Sequence, residues 1–129
     1  INAEQLPRAE EALLPIDEKA EAARAARVEQ SIGSAVPGLV SDTTDVLFRE
    51  LWLRPGLAPR DRSLVTLSAL IANGQVQQIS PHLNRAMDNG LTRLQASGAL
   101  SHLAYYAGWP NAFSAAQIFK TVFEQRESK

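Results

Sequence analysis

Cysteine is absent from all 129 residues. That excludes a disulfide framework, a CxxC redox centre and a thiolate metal site. Net charge is nearly absent too, at −1, and there is no Lys/Arg-rich block, so nucleic acid is not an expected partner. Strand alternation bounded by turn residues is missing, and no internal repeat is visible. Charge is locally scarce: residues 63 to 119 contain only Arg85, Asp88 and Arg93, whereas residues 1 to 30 hold eleven charged side chains. The uncharged run 94–119 is interrupted by Gln95, Ser97, Ser101, His102, Pro110, Asn111, Ser114 and Gln117. A spanning helix needs about 20 predominantly apolar residues, so a membrane is not expected either. The first thirty residues are charged throughout, unlike a signal peptide, and a cytoplasmic location is the expectation. The chain begins at Ile1 rather than Met, which leaves room for a removed leader.

What is present is helical periodicity from end to end. Asp17 is a candidate N-cap for the alanine-rich "EKAEAARAARVEQSI", whose apolar face is thin. "AVPGLV" breaks the pattern, and Ser41 or Asp42 would cap "TTDVLFRELW". After the "RPGLAP" turn, Pro59 suits the first turn of a helix that is apolar nearly all round beyond Ser63 and should be central, with Gly74 closing it. The next helix starts either at Ser80-Pro81 or near Val76 with Pro81 inside it, and ends at Gly90. Thr92 and Gln95 make a capping box, and Ala96, Ala99, Leu100, Leu103, Ala104 and Ala107 form the core stripe that follows. Pro110 opens a last helix. The expected fold class is all-α, a bundle of five or six helices, organised as an N-terminal helical arm over 1–40 and a helical domain over 41–129. The charge-poor half of the chain loses more water than a small monomer offers, which predicts a subunit interface.

The chain has two histidines. His82 falls on a polar flank with Arg85 and Asn89, away from the packed positions Ile79, Leu83, Ala86, Met87 and Gly90. It reads either as a hydrogen-bonded, partly buried histidine or as a reactive one. His102 lies off its helix's core stripe, on the side of Tyr105 and Tyr106, facing either a ligand cavity or another subunit. Two histidines with no nearby carboxylate leave a divalent ion short of ligands, so no metal site is expected. Arg54, Arg60 and Arg62 crowd the start of the central helix. They are either solvated and paired with a neighbour such as Asp61, or a carboxylate receptor.

The ordered landmarks "RPGL" and R-x-R before the central helix, then "HLNRAMDNGLT" and "HLAYYAGWPNA", resemble the carboxymuconolactone decarboxylase family of the AhpD-like superfamily, over residues 50 to 120. The resemblance implies an AhpD-like all-α fold, a mechanism without cofactor or metal, and ring-like homo-oligomers, trimers or hexamers. It implies decarboxylation of a small carboxylated substrate from aromatic catabolism. His82 would be the proton donor. Arg60, Arg62 and Arg85 would hold substrate carboxylates, and His102, Tyr106 and Trp109 would shape the pocket. The redox branch's two cysteines are replaced by Gln75 and Gln78, which excludes thiol peroxidase chemistry. Two acidic positions frequent in relatives are also neutral here, as Gln78 and Gly98. A second reading follows from those losses, a non-catalytic oligomeric scaffold or small-molecule binder on the same fold.

Overall fold

The computed structural model describes residues 12 to 128. Among the described residues there are six α-helices and no strand. The described residues fall into two compact units that part between Leu57 and Ala58.

In the first unit, helix α1 spans Glu18–Ile32, and the Asp17 carboxylate caps it by accepting from the Ala20 amide at 3.1 Å. Its thin apolar face is supplemented by a buried ion pair. Arg24 donates to Glu21 through Nε at 2.9 Å and Nη2 at 2.6 Å, reaches Thr44 Oγ1 at 3.0 Å, and lies over the Phe48 ring at 4.3 Å. Such a pair stabilises only while both partners are present, because either charge alone in a dry site is costly. The segment read as a break is helical. Pro37 starts α2 (Pro37–Asp42), since its missing N–H costs nothing at a first helical position. Ser41 and Asp42 therefore do not cap the following stretch. They lie inside α2, which runs on into a π-helical turn over Thr43–Phe48. A 3₁₀ turn over Leu51–Leu53 brings Trp52 onto Phe48, with ring centroids 5.7 Å apart.

The second unit is a four-helix bundle. Helices α3 (Pro59–Ala72), α4 (Val76–Asp88), α5 (Arg93–Ala107) and α6 (Trp109–Glu127) alternate in direction. Side chains at the helix ends fix this order. Asn111, opening α6, donates to the Ala72 carbonyl at the end of α3 at 3.2 Å. Arg126, closing α6, reaches Asn84 Oδ1 and Asp88 Oδ1 late in α4, both at 3.0 Å. Arg93, opening α5, ion-pairs with Glu127 and lies over Phe123 at 5.0 Å. Helix α4 packs on α3 and α6, and α5 packs on the same two, so α4 and α5 occupy opposite corners.

The turns explain how the chain reverses. At Gly74 (φ +66°) the Gly74 amide bonds the Ile71 carbonyl and the Gln75 amide bonds that of Leu70. Gly90 (φ +106°) repeats the arrangement, with the Gly90 amide on Met87 and the Leu91 amide on Ala86. Each left-handed residue satisfies two carbonyls that the helix end leaves open. Helix α4 starts at Val76 with Pro81 inside it, the second of the two starts considered. Thr92 and Gln95 form both halves of the capping box of α5. The core gathers Leu67, Ile71, Ile79, Leu83, Ala86, Leu91, Ala96, Ala115, Phe119, Val122 and Phe123.

Candidate active site

Helix α4 turns Ile79, Leu83 and Ala86 inward. At 100° per residue, His82, Arg85 and Asn89 must then share the adjoining flank. Asn89 anchors that flank. Its side-chain amide donates to the Ser63 hydroxyl at 3.0 Å, and Ser63 is fully buried on α3, one residue after Arg62. The bond ties the end of α4 to the second turn of α3. The sequence reading placed Asn89 on the flank but missed Ser63. The available signal was a lone hydroxyl at a core angle of an otherwise apolar helix.

His82 is half-buried there. Burial pushes its imidazole below the ordinary histidine range, and the positive charge of Arg85 one turn on pushes the same way. At neutral pH the free protein therefore holds a neutral imidazole beside a permanent guanidinium. A bound carboxylate would screen that charge and favour the imidazolium.

The other predicted residues distribute as follows. Arg60 lies on the surface, its Nη2 3.2 Å from Asp61 Oδ1, and Arg54 pairs with Glu50 at 2.8 Å. Arg62 is half-buried at the start of α3. His102 and Tyr106 contact each other on α5, ring centroids 5.0 Å apart, and both stand exposed. Trp109 meets Tyr105 edge-on at 5.2 Å. The chain therefore brings His82 and Arg85 together on α4, and His102 and Tyr106 together on α5. It does not bring the two pairs onto one surface, because α4 and α5 are opposite corners of the bundle. Among the described residues no group of three or more His, Cys, Asp or Glu side chains is placed to hold a metal.

The family model of the carboxymuconolactone decarboxylase family matches residues 37–121. The chain belongs to this family. It is 36% identical over 75 residues to a 4-carboxymuconolactone decarboxylase of Acinetobacter baylyi, covering 58% of this chain and 56% of the relative. It is 35% identical over 72 residues to a nitrosuccinic acid decarboxylase of Metarhizium robertsii, covering 56% of this chain and 50% of that one. The chain thus spans about half the length of the curated relatives it matches. Both relatives are named as decarboxylases, of different substrates. No helix among the described residues is long and apolar enough to cross a membrane.

Proposed function

We propose that the protein decarboxylates a small carboxylated substrate, with His82 as proton donor and Arg85 as the nearest carboxylate-holding group. The observation that carries this reading is the pairing of a half-buried, neutral-leaning imidazole with a guanidinium one turn away. The chemistry needs both. As the C–C bond to the carboxylate breaks, its electron pair stays on the substrate and delocalises into a neighbouring carbonyl or equivalent acceptor. The carbanion is then protonated on carbon. A second carboxylate on the substrate would pair with Arg85, offset the lesser of the two influences that lower the His82 pKa (burial is the larger), and favour an imidazolium beside the reacting carbon. Arg62, half-buried at the start of α3, would be a further carboxylate-holding group, and Arg60 lies out in solvent. The two relatives named as decarboxylases support the reaction class. His102, Tyr106 and Trp109 would take part only where a neighbouring subunit brings α5 up to α4, which fits a ring-like trimer or hexamer.

The non-catalytic reading rests on Gln78 and Gly98, where no carboxylate stands to orient a histidine. A panel of lactones, β-keto acids and nitro-substituted dicarboxylates, followed by CO₂ release, separates the two. Release from wild type that falls roughly 10²–10⁴-fold in His82→Ala, the usual worth of a general acid, supports the enzyme. Release that survives the substitution overturns the role of His82. Binding of a dicarboxylate without turnover makes the protein a binder.

A further inference from the structure

A proton donor and a carboxylate holder leave one demand of a decarboxylation unmet. The electron pair released by the departing CO₂ moves into an acceptor group, and an oxygen of that group takes on negative charge. Neither His82 nor Arg85 has been assigned to that oxygen.

The polar flank of α4 continues toward the start of the helix. At 100° per residue, Gln78 stands about 40° from His82 and about 20° from Arg85, on one line. It lies one turn before His82, about 6 Å along the axis, and Arg85 lies about 4.5 Å beyond His82. Residues four apart have Cβ atoms about 5–6 Å from each other, and helical Cα–Cβ bonds tilt toward the N-terminus. His82 therefore leans over the turn that carries Gln78. Its Nδ1 is sealed from water, which leaves Nε2 to meet a substrate. Gln78 is exposed, and among the described residues no side-chain hydrogen bond holds its carboxamide. Asn89, at the other end of the line, is already tied to Ser63. Between Gln75 and Met87 the chain has no carboxylate. The first acid of α4, Asp88, stands about 120° round from His82, and its Oδ1 is 3.0 Å from Arg126 Nη2.

We propose that Gln78 is a further catalytic residue, whose side-chain N–H donates to the oxygen that becomes an oxyanion as CO₂ leaves. This rests on the decarboxylase reading above. When the bond to CO₂ breaks, its electron pair forms the double bond of an enolate or nitronate, and the acceptor's π pair moves onto its oxygen. Gln78 Nε2 donates to that oxygen. His82 Nε2 then delivers its proton to the carbon, the acceptor group re-forms, and the imidazole regains a proton from water. The oxygen and the protonated carbon are two bonds apart, so side chains one turn apart reach both, and the retained carboxylate falls on the Arg85 side. Gln75 lies two turns from His82, too far for the same oxygen. A carboxylate at position 78 would repel the oxyanion and offer no N–H. The neutrality that the non-catalytic reading rests on is, at Gln78, what this step requires. It also narrows the substrate class, to a carboxylate one carbon from a carbonyl or on a carbon bearing a nitro group.

Steady-state CO₂ release from β-keto acids and nitro-substituted dicarboxylates tests it. Gln78→Leu and Gln78→Glu should each lower kcat about 10²–10³-fold, the worth of one oxyanion donor. KM should hardly move in Gln78→Leu, because the bond strengthens only in the transition state. Gln77→Leu, about 140° round the helix from His82, should match wild type. Both glutamines are exposed, so circular dichroism should show unchanged helix content in all three. A kcat close to wild type in either Gln78 variant overturns the proposal, and a simultaneous loss in His82→Ala would leave the proton donor standing. A loss carried by KM alone in Gln78→Leu overturns it too, because it assigns Gln78 to ground-state binding. No release from wild type on any substrate overturns it together with the reading beneath it.

Discussion

Replacing Ser63 by Ala tests how the polar flank of α4 is held. The Ser63 hydroxyl is sealed from water and accepts the Asn89 amide at 3.0 Å. Removing it deletes one hydrogen bond and leaves the Asn89 donor half-buried. A hydrogen bond is worth about 1 kcal/mol net, and an orphaned buried donor costs about 1–3 kcal/mol. Asn89 keeps some access to water, so the cost should sit near the lower end, about 1–2 kcal/mol. For a chain of this size that lowers Tm by about 3–8 °C. Ser63 also packs fully, yet Ala removes only one oxygen, so the void contributes little. Asn89→Ala strands the hydroxyl in a dry site, and the double variant should cost less than the two singles together. Thermal unfolding followed by circular dichroism, with urea unfolding for the energies, completes the cycle. A Ser63→Ala cost under about 0.5 kcal/mol, with no coupling to Asn89, would refute the clamp.

Acid should destabilise the protein through His82. The folded imidazole binds its proton at lower pH than the unfolded one, so the contribution is intact above the ordinary histidine value near 6.5 and is lost as pH falls below it. His82→Asn should flatten that part of the stability–pH curve, and an unchanged slope would count against the burial effect. Glu21→Gln leaves the Arg24 guanidinium buried without its carboxylate and should cost about 3–5 kcal/mol in urea unfolding, whereas Glu18→Gln, in the exposed pair with Arg49, should change nothing measurable. Gly74→Ala should cost about 1–2 kcal/mol by the same method. Its φ of +66° is unfavourable for a residue with a Cβ, while the added carbon would meet Asn111 Oδ1 at an ordinary 3.5 Å, so backbone strain alone accounts for the loss.

The helices after Ala58 were legible in the sequence because local chemistry and core pattern agree there. Pro59, Gly74, Gly90, the Thr92/Gln95 box and Pro110 mark the ends, and the stripe Ala96, Leu100, Leu103, Ala104 marks the inner face. Residues 36–53 were not, because proline there opens a helix instead of breaking one, and a π-helical turn has no period that a 3.6-residue pattern can find. The Glu21–Arg24 pair was hidden for a related reason: charged residues three apart normally signal a solvated face. At the candidate site, the flank of His82, Arg85 and Asn89 followed from helical angle alone. What closes it did not, since the Ser63 bond depends on how α3 and α4 pack. Nor could periodicity show that α4 and α5 stand at opposite corners, which separates His82 from His102 within one chain.

The central claim is that an anion bound beside Arg85 converts a neutral His82 into a proton donor. Proton-detected NMR of the two imidazoles measures this directly, with His102→Asn assigning the signals. In the free protein His82 should titrate below the ordinary histidine range. Saturating the sample with a small dicarboxylate should raise its midpoint, and Arg85→Gln should raise it without ligand and blunt the response to ligand. A His82 signal that titrates at or above the ordinary value, or that ignores both the dicarboxylate and Arg85→Gln, would contradict the account.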